Sequence, residues 1–322
     1  MSAKVLVTDY TFDDLSIEAA ILEPLGCKLA GYKCRDAAEL AALAADADYV
    51  LTQFAPVNAR VIAAMKPARV IVRYGIGVDN VDLVAARNRG IPVCNVPDYC
   101  IDEVADHALA FILGTTRQIV ANSSLVQSGK WGLASPLAGM RALRDMCVGV
   151  IGFGRIGREV VRRLTAFKCT VRVFDPVVPV VDIEKAGATA GKSLEELLPA
   201  CDIVTLHCPS SASTRRMLNR ESLAKLRSGA ILVNVARGDL VDTAALVEAM
   251  QSGKIAAAAL DVCDPEPIPA DHPLLKLPGV IVSAHVASAS VPAVRKLRET
   301  AAGIIARAIR GEPLPNVVNG VN

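Results

Sequence analysis

Two hydrophobic periods alternate along this chain. Short apolar runs rich in β-branched residues are separated by alanine-rich stretches whose apolar positions recur every three to four residues. The runs Val5–Val7, Tyr49–Leu51, Val70–Val72 and Val93–Val96 predict buried strands. The intervening stretches predict helices over Ser16–Leu25, Ala37–Ala45, Asn58–Met65 and Val81–Arg89. Around Asn95-Val96-Pro97-Asp98-Tyr99 a proline-marked turn gives way to one long helical pattern, Ile101–Gln127. Six further strands are predicted beyond it: Val148–Ile151, Thr170–Phe174, Ile203–His207, Ala230–Val235, Ala257–Val262 and Val280–Ser283. Helical patterns such as Ser193–Leu198 and Thr243–Gln251 separate most of them, and a last helix spans Pro292–Arg310. Strands alternating with helices predict an α/β protein built of doubly wound parallel sheets.

The second half opens on Val148-Gly149-Val150-Ile151-Gly152-Phe153-Gly154-Arg155-Ile156-Gly157. An apolar strand runs into Gly-x-Gly-x-x-Gly, then a helical pattern, then a second strand ending in Asp175. The three glycines act differently. Gly152 makes the tight turn, Gly154 lets a pyrophosphate approach the backbone, and Gly157 packs the helix on the strand. The helix beginning near Arg155 offers N–H groups and its positive dipole end to phosphates. Asp175 stands where a carboxylate would meet the adenosine ribose hydroxyls. The half that starts here is therefore expected to be a Rossmann domain binding NAD, over residues 101–287. Residues 1–100 carry no such loop. Joined by 288–322, they are expected to form a discontinuous, flavodoxin-like substrate domain.

Composition narrows the picture. A chain of 322 residues suits two domains. With 52% hydrophobic residues and only 4% aromatics, the core is aliphatic, as in parallel sheets covered on both faces. A net charge of +2 gives no electrostatic footprint for nucleic acid or an anionic membrane. No apolar run approaches the roughly 20 residues of a membrane span. Met1-Ser2-Ala3-Lys4 leads straight into the first strand, which leaves no room for a signal peptide. Nine cysteines, with no Cys-x-x-Cys and several inside apolar runs (Cys147, Cys169, Cys201, Cys208), read as free thiols of a reducing compartment. A cytoplasmic protein with no metal site is expected.

Three residues of the second half follow successive predicted strands, where a doubly wound sheet places ligands. Arg237 lies in Asn234-Val235-Ala236-Arg237-Gly238, Glu266 in Asp261-Val262-Cys263-Asp264-Pro265-Glu266-Pro267, and His285 in Ser283-Ala284-His285-Val286-Ala287. Arginine is a permanently charged planar fork that grips a carboxylate. Histidine gives or takes a proton near pH 7, which a carbonyl needs as hydride arrives. A glutamate bonded to that histidine favours the imidazolium and orients the ring. Together they suffice for reversible reduction of a 2-oxo acid. Of the other histidines, His107 in a helix reads as structural, His207 as shaping the cofactor site, and His272 as having no evident chemistry. Separated as they are, they make no metal site.

Here the sequence resembles a family. Asn234 through Asp242, Asp261 through Pro267 and Ser283-Ala284-His285 resemble the signature blocks of the D-isomer-specific 2-hydroxyacid dehydrogenases. Arg73 through Asn80 and Val104-Ala105-Asp106-His107 fit the same pattern. Within that family the chain is most similar to the branch of the C-terminal-binding-protein corepressors and their bacterial relatives. The residues behind this are Val7–Tyr10, Val93–Cys100 and Ala270–Leu275.

The resemblance implies an NAD-dependent enzyme interconverting a small D-2-hydroxy acid and its 2-oxo acid, with Arg237, Glu266 and His285 catalytic. It implies that Tyr74, Gly75, Ile76 and Gly77 offer backbone amides to the substrate carboxylate. It implies that Arg155, Ile156, Pro209, Thr214, Ala236 and Asp261 line the cofactor, Asp261 at the nicotinamide carboxamide. The segment around Ile101–Arg141 is implied to form a homodimer interface; Gly129–Arg141, with the sole tryptophan, reads either as an arm on another subunit or as a surface loop. The corepressors carry a tryptophan shortly after the histidine, whereas Val286–Ser290 holds small residues only. The competing reading is an NAD(H)-sensing dimeric binding protein like those corepressors. Formate dehydrogenases pair the histidine with glutamine, and Glu266 argues against them.

Overall fold

A computed structural model describes residues 2–321; Met1, the first residue of the stretch that leads into the first strand, lies outside them. The chain forms two compact units, one made of the residues up to Tyr99 with those from Ser290 onward, the other of Cys100–Ala289.

The first unit is a five-stranded parallel sheet of β1 (Ala3–Val7), β2 (Cys27–Gly31), β3 (Tyr49–Thr52), β4 (Val70–Arg73) and β5 (Val93–Cys94). Its order, β2-β1-β3-β4-β5, is the flavodoxin-like winding. Alternation along each strand feeds two cores. Val5, Val7, Leu51 and Val72 pack with Leu297, Ala301 and Ile305 of the final helix, Val291–Ile309. Leu6, Val50 and Ile71 face the other way, onto Leu40 and Ile62. With both faces covered, the strands read as unbroken apolar runs.

The second unit is a seven-stranded parallel sheet: β6 (Cys147–Ile151), β7 (Thr170–Phe174), β8 (Thr189–Ala190), β9 (Ile203–Leu206), β10 (Ala230–Asn234), β11 (Ile255–Leu260) and β12 (Val280–Val282). The order β12-β11-β10-β9-β6-β7-β8 is the Rossmann winding with one strand added at the β12 edge. The winding reverses between β6 and β9, and the glycine turn opens at that point.

Three sequence expectations are corrected. The Rossmann sheet has seven strands rather than six, because β8 is a two-residue edge strand between Gly187 and Gly191 with no apolar run to reveal it. In the first unit β2 went unpredicted, because an edge strand needs to bury little; Lys28 and Gly31 are exposed. The pattern Ile101–Gln127 is two helices, Ile101–Thr116 and Ile119–Gln127, broken where Gln118 turns left-handed at φ 51°. The first is packed along one face. The second has no buried residue, and Ile119 and Val120 are more than half exposed.

Candidate active site

The glycine turn is built from contacts that leave no choice of residue. Gly152 has φ 96°, and a Cβ there would meet the His207 carbonyl carbon at 2.6 Å. At Gly157 a Cβ would lie 2.1 Å from the Gly152 oxygen, so helix Arg155–Ala166 can sit on the turn only with glycine at this position. Gly154 faces open space and supplies no side-chain cap, so the first N–H groups of the helix have no side-chain acceptor. Asp175, directly after β7, accepts from Phe153 N (2.7 Å) through Oδ2, and from Val177 N and Val178 N through Oδ1. The same carboxylate therefore holds the turn and stands at its rim.

His207 lies beneath this turn. Its Nε2 is 2.8 Å from Thr205 Oγ1, while Nδ1 is buried with no partner among the described residues. Burial alone brings the ring's pKa down to about 3, so it is neutral near pH 7. Past it, Thr214 Oγ1 donates to the Pro209 carbonyl and accepts from Ser211 N, closing the loop after β9.

An open space at an uncapped helix N-terminus, a cradle that a Cβ would fill, an unpartnered buried imidazole nitrogen and a carboxylate at the end of the second strand form a set that fits a dinucleotide. Gly154, Arg155, Ile156 and Asp175 are the residues that would hold it.

Arg237, Glu266 and His285 follow β10, β11 and β12, which are adjacent and parallel, so all three stand at one edge of the sheet. Asn234 shapes the turn that carries Arg237: its Oδ1 accepts from Ala236 N at 3.0 Å and its Nδ2 donates to the Arg237 carbonyl at 2.8 Å. The Arg237 guanidinium donates to the Ala236 carbonyl at 2.7 Å. Glu266 Oε1 lies 2.6 Å from His285 Nδ1, and both side chains are partly exposed.

His285 is left-handed, at φ 53°, a conformation that costs a non-glycine residue about 1 kcal/mol or more. Asp261 holds it there. The Asp261 carbonyl accepts from His285 N (2.8 Å), Oδ1 from Ser283 Oγ (2.5 Å) and Val286 N (2.9 Å), and Oδ2 from Ala287 N (2.9 Å). Behind Ser283, His107 Nε2 approaches within 3.1 Å of Oγ, its ring edge-on to Phe111. The Asp261 carboxylate, 1% exposed, is thus committed to the histidine's loop. Asn234, Ser283 and this use of Asp261 escaped the sequence reading; their only trace there is a polar residue closing an otherwise apolar strand.

The remaining predicted residues belong to the first unit. Tyr74 is buried, and its hydroxyl donates to Glu18 Oε1 at 3.0 Å. Burial, then the Glu18 charge, push the phenol well above its ordinary pKa. Arg298 holds that glutamate through two nitrogens, at 2.7 and 2.9 Å. The Tyr74 side chain therefore anchors its loop in the unit's own core. Gly75 N donates to the Arg73 carbonyl, whereas Ile76 N and Gly77 N donate to no acceptor among the described residues.

Comparison with known proteins identifies the architecture. Residues 109–287 match the family model of the D-isomer specific 2-hydroxyacid dehydrogenases, NAD binding domain. The chain is 39% identical to D-3-phosphoglycerate dehydrogenase of Archaeoglobus fulgidus, over 82% of this chain and 49% of that protein. It thus spans about half the length of that relative. It is 38% identical to glyoxylate reductase of Korarchaeum cryptofilum, over 82% of this chain and 80% of the relative. Among solved structures, an NADPH-dependent glyoxylate/hydroxypyruvate reductase from Sinorhizobium meliloti, in complex with NADP and malonate, superposes with a TM-score of 0.88. It is 30% identical and covers 100% of this chain and 98% of its own. Through the family model matched over more than half of its length and its 38% identity to a glyoxylate reductase over 82% of the chain, this chain belongs to the D-isomer-specific 2-hydroxyacid dehydrogenase family.

Proposed function

We propose that the protein reduces a small 2-oxo acid to its D-2-hydroxy acid with NADH, and runs the reverse reaction with NAD. The observation that carries this reading is the 2.6 Å contact of Glu266 with His285 at the sheet edge that also carries Arg237. When bound, NADH supplies the hydride. Arg237 grips the substrate carboxylate and carbonyl oxygen with its fork and orients the carbon to be reduced. His285 gives its proton to the carbonyl oxygen, and Glu266 stabilises the imidazolium that must exist beforehand. Tyr74, Gly75, Ile76 and Gly77 form the carboxylate loop, with Ile76 N–H and Gly77 N–H as donors. Arg155, Ile156, His207, Pro209, Thr214 and Ala236 line the cofactor; Asp261 serves it by holding the histidine's loop.

The protein is further proposed to be a cytoplasmic homodimer. Support for the dimer comes from exposed apolar residues in one stretch: Ile119, Val120, Leu133 and Leu137, with Trp131 93% exposed. The second reading, an NAD(H) sensor of the C-terminal-binding-protein branch, rests on the sequence blocks Val7–Tyr10, Val93–Cys100 and Ala270–Leu275.

The test is a panel of 2-oxo acids followed by NADH absorbance, with His285→Ala beside the wild type. The enzyme reading expects turnover on at least one acid and a kcat lower by about 10²–10⁴-fold in the variant, with NADH affinity retained. Binding of NADH without turnover on any acid would favour the sensor.

A further inference from the structure

We propose that Cys147 and Cys201 form an oxidisable dithiol site, which a small hydroperoxide converts into an intramolecular disulfide. The two Sγ atoms lie 3.6 Å apart, although 54 positions separate them in sequence. Cys147 opens β6 and Cys201 stands just before β9, its neighbour in the sheet. Asp202 fastens the two segments: its carboxylate accepts from Cys147 N and its own N–H donates to the Cys147 carbonyl, each at 2.8 Å. Arg141 and Arg227 in turn hold Asp202, at 3.0 and 3.2 Å. The sulfurs are thus kept in contact by backbone that cannot easily part. Gly149, on the same face of β6 as Cys147, leaves the space that Cys201 fills; a Cβ there would sit 2.9 Å from its Sγ.

The two thiols are not equivalent. Cys201 is fully buried, whereas Cys147 is part-exposed and open to a small oxidant. The contact with Cys201, aided by the charges of Arg172 and Arg227, brings the Cys147 thiol down to about 7, against burial and the Asp202 carboxylate. The same contact and burial push the Cys201 thiol up. Cys147 is therefore the attacking sulfur and Cys201 the resolving one. The Cys147 thiolate attacks the terminal peroxide oxygen, the O–O bond breaks, and hydroxide (an alkoxide, where the oxidant is an alkyl hydroperoxide) leaves and takes a proton from solvent. Cys147 is then a sulfenic acid. Cys201 Sγ attacks its sulfur, the S–O bond breaks, and hydroxide leaves with the Cys201 proton as water. Two thiols lose two electrons and the peroxide gains them. Closure to about 2.05 Å needs an approach of about 1.5 Å, within reach of side-chain rotation.

Cys169, also near Cys147, is the alternative partner, but its thiol donates to the Leu164 carbonyl at 3.3 Å. The pair lies at the opposite end of β6 from the glycine turn, so the proposal is independent of the dehydrogenase reading.

The test treats the folded full-length chain with graded hydrogen peroxide, blocks remaining thiols, and reads intact mass and peptide maps. The expected product is one disulfide, a loss of about 2 Da reversed by dithiothreitol, joining Cys147 to Cys201. Cys147 should react about 10-fold or more faster than the other buried thiols. Cys201→Ser should halt at a sulfenic acid on Cys147 that a dione reagent traps, and Cys147→Ser should abolish the early oxidation. Should either variant misfold, the wild-type peptide map still decides. A Cys147–Cys169 bridge, sulfinic acid at Cys147 without a disulfide, or oxidation of Cys147 no faster than its neighbours would overturn the proposal.

Discussion

Glu266 holds His285 by a single nitrogen: Oε1 lies 2.6 Å from Nδ1 and commits that face of the ring to a carboxylate. With Nδ1 engaged by Glu266, the proposed mechanism assigns the transferred proton to Nε2. A carboxylate at Nδ1 also faces the positive charge that the ring carries when it donates to a carbonyl in reduction.

Glu266→Gln should therefore slow the chemistry rather than remove it. Glutamine keeps a hydrogen-bonding partner for Nδ1 but not the negative charge that faces the ring as it donates its proton. In oxo-acid reduction kcat should fall by about 10–10²-fold, with NADH affinity retained. An unchanged kcat would remove Glu266 from the proton path.

Arg237→Lys keeps the charge and loses the fork. A charge-assisted bidentate pair is worth about 2 kcal/mol, so kcat/KM for the oxo acid should drop about 30-fold, through both a raised KM and a lowered kcat. NADH affinity, measured by fluorescence titration, should change little. Unaltered kinetics would mean that the carboxylate docks elsewhere.

Asp175 should select NADH. A 2′-phosphate would meet a carboxylate already fixed by three backbone N–H groups and unable to swing aside. A preference of about 10²-fold in kcat/KM is expected, equivalent to about 2.8 kcal/mol. Asp175→Ala should narrow the gap mainly by weakening NADH, and should also lower the melting temperature, because Phe153, Val177 and Val178 lose their acceptor. Equal kcat/KM for NADH and NADPH in the wild type would contradict this role.

His207 should make the protein acid-sensitive before its carboxylates do. Between the ordinary value of about 6.5 and the folded value of about 3, the unfolded chain carries a proton on this ring that the folded chain does not. Stability conferred by the neutral ring is complete above about pH 6.5 and falls as pH drops toward 3, by up to about 1.4 kcal/mol per pH unit. Urea denaturation of the cofactor-free protein at pH 7 and pH 5 should show this loss, and His207→Gln should reduce it. An equal loss in the variant would assign the acid sensitivity to other groups.

Much of this architecture is legible along the chain because its causes are local. A strand buried on both faces must be largely apolar, so β1, β3, β4, β6, β9 and β10 show themselves as runs. A turn that a Cβ would block must carry glycine, so Gly152 and Gly157 stand out by residue type. Arg237, Glu266 and His285 are visible because each is a charged or titratable residue just past an apolar strand. Where burial is slight, the signal fades: β2 and β8 are edge strands, and the break at Gln118 falls in a stretch whose helical pattern continues on either side.

The two α/β windings, the dinucleotide turn and the chemistry available at the strand ends can all be read along the chain, since each is dictated by which residues a short stretch of backbone can accept. What the buried polar groups do is settled only in three dimensions. Asp261 bonds Ser283, Val286 and Ala287, Tyr74 reaches Glu18, which Arg298 also holds, and Cys147 touches Cys201. Such partners are distant in the chain, and strand order brings them together. A buried donor or acceptor must find a partner, and which one it finds depends on the neighbour that the sheet supplies.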